Sequence, residues 1–266
     1  MKIVRYLADE EEGVSYGRLT ENKIYKITGN IYERGELIQI AGEKYNPEDI
    51  RLLPPVNPPN IIAIGLNYRE HAQETGIDIP REPLIFSKLT SSLIGPQDKI
   101  VLPEEAPERV DYEAELGVVI SRPASDISPE KAEEFILGYT CVNDVTARDC
   151  QQSDGQWTRA KSFETFCPVG PWIETELNPK NCAIGCEVNG ELRQDSTTGD
   201  MIFSVYEIVS YLSHNMTLLP GTLITTGTPS GVGMGYSPGR YLQKDDIVKV
   251  KIQGIGTLEN QVTSHT

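Results

Sequence analysis

Val110-Asp111-Tyr112-Glu113-Ala114-Glu115-Leu116-Gly117-Val118-Val119-Ile120 decides how this chain is read. Side chains alternate across a strand with period two, so Asp111, Glu113 and Glu115 share one face and Tyr112, Ala114 and Leu116 the other. The apolar run that follows leads the strand into a core. Carboxylates converging beside a core repel one another strongly unless a cation neutralises them. A donor set made only of oxygen suits Mg²⁺, Mn²⁺ or Ca²⁺ better than zinc. The competing reading is a solvated edge strand whose charges block aggregation. The pattern alone leaves both open.

Working outward, Tyr139 to Asp149 (YTCVNDVTARD) is an apolar strand that ends in Asn143-Asp144, with Arg148 one turn on. An acid where a strand meets a loop is a common ligand position, although Asn-Asp also starts turns. Upstream, Gly65 to Glu74 (GLNYREHAQE) predicts a short helix with Asn67 as N-cap and Glu70 at the third helical position. His71 and Glu74 then fall at i, i+3, within hydrogen-bonding reach. A carboxylate that orients an imidazole can serve proton transfer, and a surface ion pair is the bland alternative. The chain has 3 histidines, and His265 lies in the tail, so His71 and His214 are the plausible imidazole bases.

The 266 residues suit one large domain with a small accessory one. Pro54 to Asn60 (PPVNPPN) cannot continue helix or sheet and marks the boundary, giving domains 1–55 and 56–266. Alternating segments KIVRYL, VSYGRLT and KIYKITG before it predict β-hairpins. After it, strand signals dominate at 60–65, 115–121, 182–192, 222–227 and 246–260. Helical periodicity is confined to places such as 129–137, capped by Ser128, and 204–213, where Ser204 and Glu207 form a capping-box pattern. The fold class is therefore α+β and β-rich. A net charge of −15 disfavours nucleic acid as a partner. No apolar run approaches the ~20 residues of a membrane-spanning helix. The N-terminus turns acidic too early for a secretory signal. Five cysteines without CxxC spacing predict buried free thiols and a reducing, cytoplasmic location.

Taken together, these segments resemble the fumarylacetoacetate hydrolase family. The resemblance rests on Asp-Tyr-Glu-x-Glu-Leu, on Asn-Asp-x-Thr-x-Arg about 30 residues later, and on Gly-x-Asn-Tyr-x-x-His-x-x-Glu at 65–74. Phe86-Ser87-Lys88, Arg148-Asp149-Cys150-Gln151, Ala160-Lys161-Ser162-Phe163 and Thr225 to Gly233 extend it over about 58–262. It implies a mixed β-roll catalytic domain behind a small N-terminal β-domain. It implies Glu113, Glu115 and Asp144 as ligands of a divalent metal, usually Mg²⁺, with Mn²⁺ or Ca²⁺ as substitutes. His71 and Glu74 would form a catalytic dyad on a lid helix. Lys161 would reach the oxo group of a small 2-oxo acid, and Arg148, Gln151 and Thr228 would contact its polar groups. The activity expected first is Mg²⁺-dependent C–C hydrolysis of a 2,4-dioxo acid through a pyruvate enolate. The alternatives on the same site are oxaloacetate decarboxylase or tautomerase and 2-hydroxyhepta-2,4-diene-1,7-dioate isomerase. The same resemblance implies a homodimer, while the charge and the lack of long apolar runs lead to no expectation of nucleic-acid or membrane partners. A binding module without chemistry would have no need of His71, Glu74 and Lys161.

Overall fold

The computed structural model describes residues 1–8, 13–32 and 40–264; the turn expected after the first strand and His265 lie outside them. Strands Lys2–Ala8, Ser15–Thr20 and Lys23–Ile27 pair antiparallel in sequence order, as the alternation predicts. The proline-rich segment 54–60 carries neither strand nor helix. Lys2–Ala8 also pairs with Cys167–Glu174, setting Lys2 opposite Glu174 and Ile3 opposite Ile173. The N-terminal hairpins therefore extend the large mixed sheet formed by the rest of the chain.

Ala114–Ile120 lies inside that sheet, between Ile136–Asn143 and Leu223–Thr225, with all its residues buried. It is not an edge strand, so the anti-aggregation reading of its acids fails. Its regular part begins at Ala114. Asp111 belongs instead to the two-residue strand Val110–Asp111, paired with Thr146–Ala147. That break in the strand leaves Asp111 outside the cluster that Glu113 and Glu115 form with Asp144.

The segments 182–192 and 246–260 each contain a hairpin rather than a single strand. Ala183–Val188 returns as Glu191–Thr197, and Ile247–Ile252 as Gly256–Ser264. The first turn is Asn189-Gly190 at φ 53° and 80°, the dipeptide that a two-residue hairpin demands. These four strands and Lys99–Leu102 make a five-stranded second sheet. Leu116, Val118 and Cys141 from the large sheet share one buried cluster with Ile184, Cys186, Val250 and Leu258 from the second. Each such side chain contributes roughly 2 kcal/mol by leaving water. All five cysteines are buried and free, as expected.

Three α-helices occur among the described residues: α1 (Arg69–Thr75), α2 (Arg148–Asp154) and α3 (Val205–Asn215). Ser204 and Glu207 cap α3 reciprocally, as read. The stretch 129–137 differs from expectation. It forms 3-10 turns over Pro129–Phe135 without a Ser128 side-chain cap, and Ile136 already enters the sheet. Pairing of the apolar run after Phe135 with two neighbouring strands outweighs the local helical periodicity. No helix among the described residues is long and apolar enough to cross a membrane.

Candidate active site

α1 starts at Arg69 with Tyr68 as N-cap, so the expected cap at Asn67 is corrected. Asn67 is wholly buried, and its amide donates to the carbonyls of Phe203 (3.0 Å) and Thr226 (2.7 Å). Its Oδ1 accepts the N–H of Phe203 at 2.8 Å. Satisfying three buried backbone groups outweighs one local cap. Glu70, freed from a capping role, accepts from Ser230 Oγ at 3.2 Å. The dyad forms as read: His71 Nδ1 lies 3.0 Å from Glu74 Oε2. Glu74 Oε1 accepts the N–H of Gly231 at 2.9 Å. Only glycine fits there, because φ is +95° and a Cβ would meet the carbonyl oxygen of Arg193 at 2.0 Å.

The amides of the glycine-rich turn that follows Thr226 hold the protein's own carboxylates. Gly227 N–H donates to Glu115 (2.9 Å) and Gly231 N–H to Glu74, while Gly233 N–H (2.6 Å) and Met234 N–H (3.0 Å) donate to Asp111. Asp111 also accepts from Arg148 Nε at 2.8 Å, and both side chains are buried. Arg148 reaches Glu113 with Nη2 (2.7 Å) and Gln151 Oε1 with Nη1 (2.9 Å). Replacing Asp111 with Asn removes one of the two buried carboxylates that pair with Arg148 and leaves Glu113 as the other. Chemical denaturation should show a loss of about 3 kcal/mol of stability, whereas a loss within the noise of the fit would mean the pair contributes nothing.

Glu113, Glu115 and Asp144 are buried, and one carboxylate oxygen from each lies within 4.8 Å of the others. Lys161 Nζ bridges Glu113 Oε2 and Asp144 Oδ2, both at 2.6 Å, and Lys88 Nζ binds Asp144 Oδ1 at 2.6 Å. Burial would raise the Glu113 carboxyl, but the cations of Lys161 and Arg148 outweigh it and hold it at about 2. Glu115 goes the other way. Burial, then the charges of Asp144 and Glu113, push its carboxyl well above the ordinary range. No cation among the described residues pairs with Glu115 in an ion pair. Three oxygen donors with one carboxylate left unneutralised fit a further cation, so the acidic cluster can hold a metal.

A cavity of about 230 Å³ is lined by His71, Glu113, Glu115, Arg148, Gln151, Lys161 and Thr228. Seven of the nine residues singled out from the sequence thus meet in one place. Glu74 stands behind His71, and Asp144 behind Lys161. Thr228 Oγ1 already accepts from Gln194 Nε2 (2.8 Å), and Gln151 Oε1 from Arg148. Each keeps a donor for an acceptor in the cavity. His214 lies elsewhere, 3.1 Å from Asp126 and half exposed. Arg69 and Arg81 are exposed and do not line the cavity. Sequence reasoning assigned no role to Lys88, Asp111 or Gln194. Lys88 was visible only as part of the Phe86-Ser87-Lys88 match, Asp111 only as the first acid of the alternating strand, and no local pattern marks Gln194.

Residues 60–263 match the family model described as fumarylacetoacetate (FAA) hydrolase C-terminal. The chain belongs to the fumarylacetoacetate hydrolase family. Residues 1–55 match the model described as Rv2993c-like, N-terminal. The chain is 43% identical over 231 residues to oxaloacetate tautomerase YisK of Bacillus subtilis, covering 84% of this chain and 77% of that protein. Among solved structures it resembles 5-carboxymethyl-2-hydroxymuconate delta-isomerase from Mycobacterium smegmatis, with 39% identity, a TM-score of 0.90 and 100% of both chains covered. It is equally close to 2-hydroxyhepta-2,4-diene-1,7-dioate isomerase from Mycobacterium marinum, with 39% identity and a TM-score of 0.88 over 99% of this chain and 98% of that one. The β-rich α+β fold with its N-terminal β-segment is that of a fumarylacetoacetate hydrolase family enzyme. These relatives are named as a tautomerase and two isomerases, names that agree with the alternative reading better than with C–C hydrolysis.

Proposed function

We propose that this enzyme transfers a proton at C3 of a small 2-oxo acid, interconverting its enol and keto forms, with Mg²⁺ held by Glu113, Glu115 and Asp144. The observation that carries the reading is one small cavity lined by His71 and by two of the three clustered carboxylates. Mg²⁺, when bound, would polarise the 2-oxo carbonyl and acidify the protons at C3. His71 is the base and acid at C3. Its Nδ1 faces Glu74, which leaves Nε2 to take and return the proton at C3. Lys161 stabilises negative charge developing on the oxo oxygen. Gln151 and Thr228 donate to the carboxylate of the substrate, and Arg148 braces Gln151 and Glu113. Glu74→Gln leaves the imidazole without a charged partner, so kcat should fall on the order of 10²-fold with KM nearly unchanged. An unaltered kcat would remove Glu74 from the mechanism.

The test follows ultraviolet loss of enol-oxaloacetate and of acetylpyruvate in parallel, with purified protein at saturating Mg²⁺. Tautomerisation predicts accelerated loss of the enol and an acetylpyruvate band that decays at its background rate. Loss of the acetylpyruvate band alone would make the enzyme a C–C hydrolase. Background rates for both would reject the proposal.

A further inference from the structure

Lys88 has no part in the chemistry above, yet its side chain is fully buried against the acidic cluster. Its Nζ binds Asp144 Oδ1 at 2.6 Å and the backbone carbonyl of Lys161. The next residue repeats the clamp, with Leu89 N–H donating to Ser162 Oγ at 3.0 Å. Unlike Lys161 and Arg148, Lys88 does not line the cavity, so it cannot touch a substrate there. Whatever it contributes passes through Asp144.

The formal charges of the cluster suggest what that is. With every carboxylate ionised, as cation binding requires of Glu115, the side chains of Asp111, Glu113, Glu115 and Asp144 carry four negative charges, and Lys88, Arg148 and Lys161 carry three positive ones, all essentially without solvent exposure. His71 and Glu74, hydrogen-bonded to each other and less deeply buried, lie outside this set. The buried set therefore has one net negative charge. A divalent cation turns it into one net positive charge, which a singly charged anion then neutralises. Without Lys88 the cation alone would neutralise the set, and an arriving anion would meet no excess positive charge. Charges in a low-dielectric interior are weakly screened, so this count is felt across the whole cluster.

We propose that Lys88 is a positioning residue, acting through Asp144, that weakens binding of the metal and strengthens binding of the anionic substrate head. The proposal rests on the metal-site reading above. A packing or folding role would weaken both ligands together, whereas a charge-setting role moves them in opposite directions. The experiment titrates Mg²⁺ calorimetrically into EDTA-stripped wild type, Lys88→Gln and Lys88→Met, then titrates oxamate, a monoanion with the same head, at saturating Mg²⁺. Gln keeps a polar group toward Asp144 and decides the matter if the Met variant does not fold; melting curves report folding for both. The expected result is Mg²⁺ bound at least tenfold more tightly and oxamate at least tenfold more weakly than in wild type. Parallel weakening of both ligands, or no change in either, would overturn the proposal. A wild type that binds no Mg²⁺ would instead overturn the metal-site reading, and this inference with it.

Discussion

Replacing Glu115 with Gln should lower kcat/KM by at least about 10³-fold while the protein stays folded. The loss follows from the role of the carboxylate as a charged metal ligand, since removing the positioned cation removes several kcal/mol of charge stabilisation at the reacting carbonyl. Folding should survive because Gln retains an oxygen to accept the N–H of Gly227 and removes a buried carboxylate that lacks an ion-pair partner. In the absence of metal the variant should melt at or above the temperature of wild type. Wild type should gain melting temperature when Mg²⁺ is added, because the ion binds the folded state, and the variant should gain none. Kinetics with melting curves in EDTA and in Mg²⁺ separate the two effects. Wild-type turnover by Glu115→Gln at saturating Mg²⁺ would show that this carboxylate is not a ligand.

The second large effect belongs to His71. Its replacement by Ala should reduce kcat about 10³-fold, within the range that general acid–base catalysis supplies. Metal affinity should stay within about twofold of wild type, a shift of under half a kcal/mol, because His71 is not among the clustered donors. Added imidazole should restore part of the rate, because the cavity left by the ring opens onto the substrate. A His71→Ala enzyme with nearly full kcat would place the proton transfer on another group, and Lys161 would be the first to examine.

Much of this site was legible in the sequence because its groups follow short-range rules. The i, i+3 spacing brings His71 and Glu74 together, and the i, i+2 spacing keeps Glu113 and Glu115 together. The carboxylate of Asp144 could be paired with them only through the family resemblance, since the contact depends on antiparallel pairing that places Ala114 opposite Asn143. The failures have one cause, which is that tertiary partners outcompeted local ones. Asn67 fits a capping pattern but is taken by Phe203 and Thr226. Asp111 fits the alternation of the triad, but the break before Ala114 gives it to Arg148 and the amides at 233–234. Residues 129–135 fit a helix but are drawn into 3-10 turns that feed the sheet. The hairpin at Asn189-Gly190 was a different matter, since that dipeptide is a local turn signal that the strand reading passed over. Lys88 could not be read at all, because a lysine on a strand is ordinarily solvated and its burial depends on contacts 56 and 73 residues away.

Under the proposed function, a divalent cation held by Glu113, Glu115 and Asp144 would make C3 of a 2-oxo acid reactive toward His71. This is tested most directly by stripping the protein with EDTA and following enol-oxaloacetate loss as Mg²⁺ is added back. The rate should begin at background and rise to saturation as one ion binds per chain. A full rate in the presence of EDTA would contradict it.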